Sequence, residues 1–423
     1  MRRAGRLREL LLSGIVDSFG MALGWTVVVL LANTRGGLAE AALYNAAMLG
    51  GVVLSAPVTG WLAGRLTGRN LLRCAAAVEV VLRFAVLGGL VAGAPPAAIA
   101  SAIVLMHIAA WAGFAGMRAE VSAVDASPRS MTRYAVCIAG VEAAGTALAA
   151  LLPDPKGWLL AGIFVVYLGS LLPTVLTARR ARIASGRPVL ARTPAPRPTP
   201  TPGPAPTPGP TPALRLTPAD GPHPAARFRR ARRPTLGLPS SRILLAGGAV
   251  MLVAAGPALL AVPVTQQLHG GGWVAGAAVA FSIGCLLSTA AVTWIGRLHL
   301  PVVLRWSLWG LGMLAGWILA PSFAPMVLVA QFLAGLAQTA FEGDMDARVA
   351  ADAEPSSVTR HLAYAASVRA LGGAVSVRIL PMLVGASAIG LVASGASLIL
   401  GITALVIWAG LNTAPHLFRR LAH

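Results

Sequence analysis

The chain has 423 residues, 56% hydrophobic and only 11% charged, against about 25% charged in soluble domains. That leaves too little polar surface for a soluble fold of this length, so the exterior is one that lipid covers. The net charge of +20 does not read as a nucleic-acid footprint, because the charges gather at helix ends and in one central segment, with no basic-aromatic module to read bases.

The first element follows Arg2, Arg3, Arg6 and Arg8. Its apolar run is too long for a signal-peptide core and has no small-residue cleavage site, so it reads as an uncleaved first span. Crossing the hydrocarbon takes about 20 mostly apolar residues. Six such runs come first, at 10–32, 41–63, 71–93, 95–117, 131–153 and 157–178. Six more follow at 243–268, 273–295, 301–320, 323–343, 360–384 and 387–411. Pro57, Pro257 and Pro263 fall inside these runs, where neighbouring groups of a membrane bundle re-satisfy the backbone. The expected fold class is an all-α polytopic membrane protein with twelve spans in two parallel six-helix halves, 1–178 and 243–423.

The intervening 179–242 is a different polymer. Residues 188–239 hold 16 of the 31 prolines, including TPTPGPAPTPGPTP, which predicts a disordered, partly polyproline-II tether. With the N-terminus in the cytoplasm, both termini, the even-numbered loops and this linker carry nearly all the arginine, and the opposite face keeps only Arg35 and Lys156 outside the spans. Positive charge marks the cytoplasmic side, so both ends are placed inside. Cys74, Cys137 and Cys285 are far apart, with no metal-binding spacing, and read as small core residues. The chain's 33 Arg to one Lys, with abundant Ala, Gly and Pro, points to a GC-rich bacterial gene and hence a bacterial cytoplasmic membrane.

Self-comparison is the most informative feature. A shift of 227 residues lays Asp125-Ala126-Ser127-Pro128-Arg129-Ser130-Met131-Thr132-Arg133 on Asp352-Ala353-Glu354-Pro355-Ser356-Ser357-Val358-Thr359-Arg360, and aligns Gly145 with Gly372. A shift of 232 lays Gly64-Arg65-Leu66 and Leu72-Arg73 on Gly296-Arg297-Leu298 and Leu304-Arg305. Each match lands on the corresponding element of the other half. Six spans return the chain to its starting side, so the halves are related by an axis along the membrane normal.

Gly60-Trp61-Leu62-Ala63-Gly64-Arg65-Leu66-Thr67-Gly68-Arg69-Asn70 carries the most specific resemblance. It is similar to the G-x-x-x-D-R/K-x-G-R/K-R/K loop of the major facilitator superfamily, which the chain resembles over nearly its full length. Gly60, Arg65, Gly68 and Arg69 match; Gly64 stands for the usual Asp and Asn70 for the last basic residue. The family's Asp helps lock the cytoplasmic gate, so the resemblance implies a weaker or differently built lock here. By this reading Gly60, Gly64, Arg65, Gly68, Arg69, Arg73, Asp125 and Arg133, with their counterparts Gly296, Arg297, Arg305, Asp352 and Arg360, form gating loops. The alternative for the arginines is a positive-inside anchor.

Ionisable groups at membrane depth cost about 2.5–3.5 kcal/mol or more, which makes each a functional candidate. Asp17 lies in the inner third of span one, with Gly20 and Gly24 leaving room on its face. His107 is near the middle of span four, Trp111 one turn on, and Glu142 midway along span five. Gln331, Gln338 and Glu342 share one stripe of span ten. In the family, spans one, four, seven and ten line the central cavity, so the resemblance implies that Asp17, His107, Trp111, Gln331 and Gln338 face the substrate path. Trp25 adds a second aromatic wall. Glu79 and Arg83, four apart, suit an intrahelical ion pair; span three is peripheral in the family, which implies a structural role for them.

These readings lead to a secondary transporter working by alternating access. Few fixed charges and two tryptophans suit proton-coupled efflux of an apolar or amphipathic compound, since no Arg cluster is present to clamp a phosphate or dicarboxylate. Gly140-Val141-Glu142-Ala143-Ala144-Gly145 has the small residues of an antiporter signature but lacks its Gly-Pro step. An uptake symporter or uniporter of the same fold, and a non-transporting sensor or scaffold, are the alternatives. An enzyme is not expected, because no metal-ligand spacing or nucleotide loop occurs. The expected partners are a small-molecule substrate, protons and the bilayer, with no cofactor, no nucleic acid, and a monomer as the functional unit.

Overall fold

A computed structural model describes residues 2–63, 65–125, 128–152, 157–181, 241–352 and 358–421. Among these the chain is helical, with no strand. Eight helices are long and apolar enough to cross a bilayer, and the first of them bends into two. Among the described residues there are also three shorter apolar helices, Cys137–Leu151, Ser241–Ala254 and Val302–Ile318, an arrangement consistent with twelve spans.

The opening run Arg2–Ala63 breaks at Gly36 and Gly37. Gly37 has φ 65 and ψ −161, a region open essentially only to glycine. The two arms are α1 (2–35) and α2 (38–63). Arg35 fastens the bend: it donates to Glu40 (2.8 Å), to the Tyr44 hydroxyl (2.8 Å) and to the Ala94 carbonyl (3.2 Å). α3 (Gly68–Val91) starts at Thr67, whose side chain accepts from the Asn70 N–H at 3.3 Å. α4 (Pro96–Val124) begins on a proline, where the missing N–H costs nothing. α5 (Pro128–Leu151) and α6 (Gly157–Ala178) complete the first half.

In the second half, α7 covers 241–269 in three segments, Ser241–Ala254, Gly256–Leu259 and Ala261–His269. Pro257 and Pro263 explain the breaks, since neither can donate to the carbonyl four residues back. Then come α8 (Gly271–Gly296), α9 (Val302–Ile318), α10 (Pro325–Asp352), α11 (Val358–Leu383) and α12 (Ile389–Leu421). The linker expected over 179–242 lies almost wholly outside the described residues.

The internal repeat is visible in the packing. A Cβ on Gly145 of α5 would meet the Phe19 carbonyl of α1 at 2.7 Å and the Leu23 N at 3.0 Å. A Cβ on Gly372 of α11 would meet the Gly248 carbonyl of α7 and the Leu252 N at 3.2 Å. Glycines aligned by the sequence repeat thus allow the same close approach of backbones in each half.

The halves pack through α2 against α11 and α5 against α8. Ser367 donates to the Val53 carbonyl at 3.2 Å. At the end where α1 meets α2, an amide clasp joins them. Gln267 donates to the Asn33 side-chain oxygen (2.7 Å), Asn33 to the Pro263 carbonyl (3.4 Å), and Asn45 to the Leu259 carbonyl (3.5 Å).

Candidate functional site

A cavity of about 540 Å³ lies within the first half, lined by residues of α1 to α6. Its chemistry centres on Arg83, 1% exposed on α3. The guanidinium donates to the Asp17 carboxylate of α1 at 2.9 Å and to Glu79, one turn back, at 2.9 Å through Nε. Nη1 donates to the Tyr167 carbonyl (2.6 Å) and the Ser170 hydroxyl (2.9 Å) of α6. That carbonyl lacks its helical donor, because α6 breaks after Gly169 and the Leu171 N–H turns to Leu168 instead (3.4 Å), and the Ser170 hydroxyl also donates to it at 3.2 Å. Thr174 donates to the second Asp17 oxygen at 3.3 Å.

Only a guanidinium offers donors in a planar fork able to satisfy two carboxylates, a carbonyl and a hydroxyl together. Gly20 and Gly24 let α1 reach α6, since a Cβ at either would strike Ser170 or Tyr167. With both acids ionised, two carboxylates face one guanidinium, and a single proton or cation neutralises the remainder.

The opposite wall is aromatic. His107 is buried, its Nδ1 paired with the Ile103 carbonyl at 3.0 Å, and its ring meets Trp25 edge-on at 4.9 Å. Gly51 of α2 permits this, since a Cβ there would lie 2.7 Å from the His107 Cβ. Trp111 is 42% exposed and packs edge-on against Phe114 at 5.6 Å. Arg118 lies over the Phe114 ring, 5.7 Å from its centre. Glu142 of α5 lines the cavity with no hydrogen-bond or ion-pair partner among the described residues.

Of the expected path residues, Asp17, Trp25, His107, Trp111 and Glu142 therefore meet in one cavity. Gln331 and Gln338 lie outside it, on α10, which packs against α8 and α9. Gln331 is buried with its Nε2 unpartnered among the described residues, and Gln338 donates to Glu342 at 3.1 Å. Glu79 and Arg83 form the ion pair that their spacing suggests, but they line the cavity and hold Asp17. The sequence signal was an acid at the same depth on span one, needing a cation.

The residues expected to form gating loops lie at or near helix ends where they are described. Gly64 lies outside the described residues, as do the side chains of Arg133 and Arg360. Gly60 is exposed, and Gly68, the first residue of α3, is buried. Arg65 stacks over Trp61 at 3.8 Å; Arg69 is exposed and Arg73 half-buried. Asp125 caps the end of α4, its N–H bonded to the Val121 carbonyl, and Asp352 is exposed at the end of α10. Gly296 ends α8 and Arg297 follows it, exposed. Arg305 is fixed within the second half: it donates to Asp344 at 2.6 and 3.1 Å, and Trp306 donates to the same carboxylate at 2.6 Å. Arg369, the repeat counterpart of Glu142, pairs with Asp346 at 2.6 Å.

No protein-family model and no curated protein sequence matches the chain. Solved structures do. The nucleoside transporter NupG superposes with a TM-score of 0.65 at 12% identity, over 95% of this chain and 99% of that one. The inward-open xylose transporter XylE from E. coli gives 0.60 at 11% identity, covering 96% of each chain. An inward-facing bacterial homologue of the iron transporter ferroportin gives 0.63 at 12% identity, over 95% and 98%. The chain thus shares the fold of these solved transporters over nearly its full length, and its long apolar helices are those of a multi-pass membrane protein.

Proposed function

We propose that the chain is a secondary active transporter that exports an apolar or amphipathic small molecule in exchange for protons, with Asp17 as the proton-carrying group. The observation that carries this reading is the Asp17–Arg83–Glu79 cluster on the wall of a largely apolar, drug-sized cavity. Two acids sharing one guanidinium have one charge in excess, and a proton taken up from one side and released to the other would remove and restore it. The full-length likeness to solved transporters supports alternating access by rocking of the halves 1–178 and 243–423 about their interface. The 179–242 segment then serves as the tether, with both termini and the tether cytoplasmic by the placement of arginine. Closure of the α1–α2 end by the amide clasp supports assignment of this state as cytoplasm-facing.

The test uses proteoliposomes holding a pH-sensitive dye and challenged with a library of amphipathic compounds. Wild-type protein should couple movement of at least one compound to proton flux. Asp17→Asn should abolish that coupling while binding and folding persist, because Asn keeps the Thr174 and Arg83 contacts but holds no proton. Coupled transport at near wild-type rate in the variant rejects Asp17 as the carrier.

A further inference from the structure

Resting on the transporter reading, we infer that the substrate is an organic cation whose charge pairs with Glu142 and whose body lies against Trp111 and Trp25. The ionisable groups of the cavity are not equivalent. Asp17 and Glu79 are engaged by Arg83. His107 is tied to the Ile103 carbonyl. Glu142 alone among the cavity's carboxylates has no hydrogen-bond or ion-pair partner within the described residues. Glu142 is exposed and on the cavity lining, so its charge is within reach of a ligand there.

Arg118 also lines the cavity, so its position matters. At 1.5 Å per residue it sits about 9 Å from the loop end of α4. By the same measure Trp111 and Glu142 both lie about 20 Å from the loop joining α4 and α5. Trp111 and the carboxylate are level, and Arg118 stands nearer the loop end of α4, over the Phe114 ring. Summed over Asp17, Glu79, Glu142, Arg83 and Arg118, the cavity carries an excess of one negative charge with all five ionised. A cation face-on to an indole gains further from the ring's quadrupole. The cationic side chain an anion would meet on this lining is Arg118, about 10 Å nearer the loop end than Trp111 and Glu142.

The experiment measures equilibrium binding to the purified full-length chain in lipid nanodiscs. The probes are tetraphenylphosphonium and tetraphenylborate, of nearly equal size and opposite charge. Wild-type protein should bind tetraphenylphosphonium saturably and tetraphenylborate at least about tenfold more weakly. Glu142→Gln should weaken tetraphenylphosphonium by about tenfold or more, and Glu142→Asp by much less. Equal affinity for both probes, no saturable cation binding, or a monodisperse Glu142→Gln variant with unchanged affinity overturns the inference. If Glu142→Gln does not fold, the probe pair on wild-type protein and Glu142→Asp decides. A chain that binds the cation through Glu142 yet moves nothing in proteoliposomes contradicts the transporter reading and leaves this inference standing.

Discussion

Arg83 makes more polar contacts than any other side chain of the cavity, reaching α1, its own helix and α6 at once. Removing it would leave Asp17 and Glu79 facing each other without a cation. Breaking a buried pair from one side costs about 3–5 kcal/mol, because the abandoned charge stays desolvated. Arg83→Gln should therefore lower the melting temperature sharply, and Glu79→Gln only mildly, since Asp17 still balances the guanidinium. Restoring part of the loss in Asp17→Asn/Glu79→Gln/Arg83→Gln would confirm that uncompensated charge is the cause; equal melting of Arg83→Gln and wild type would refute it. Asp17, His107 and Glu142 were legible as candidates because ionisable groups inside apolar runs are rare. Their grouping with Arg83 was not, because sequence gives the depth of a residue but not the rotation of its helix. Gln331 and Gln338 show the same limit: their stripe was visible, and the direction it faces was not.

At the scale of elements, the twelve apolar runs and the two repeated loops were readable because length and hydropathy determine a span almost alone. The breaks in α7 were written in Pro257 and Pro263, but whether a membrane helix absorbs a proline or splits depends on its neighbours. The aligned glycines offer a direct check. Gly145→Val and Gly372→Val each force a side chain into a facing backbone, an overpacking that costs about 1–3 kcal/mol. Gly140 on the same α5 has nothing within 4 Å of its would-be Cβ. Folded yield should drop for the first two and stay near wild type for Gly140→Val. A drop for Gly140→Val as large as for Gly145→Val would mean that helix propensity, not close approach, governs these positions.

Across the whole molecule, each half holds its own charged cluster, Asp17–Arg83–Glu79 in the first and Arg305–Asp344 with Arg369–Asp346 in the second, while the clasp between the halves is built of uncharged amides. One of its bonds has a particular origin. Pro263 has no N–H, so the Leu259 carbonyl of α7 lacks its helical donor, and Asn45 of the other half faces it at 3.5 Å. The Leu259 carbonyl thus has this donor only while the two halves touch at this point. Separating them removes this bond, whose net worth is about 0.5–1.5 kcal/mol. Asn45→Ala should accordingly destabilise the clasped state in wild type and have little effect in Pro263→Ala, where residue 263 regains its own donor. Additive effects in that double-mutant cycle, read by cysteine accessibility at the clasp, would break the link. Under the proposed rocking of the halves, a defect in one helix, repaired from across a moving boundary, would act as a thermodynamic ratchet tooth: it would set a resting bias that a ligand's differential binding must overcome before the opposite face opens.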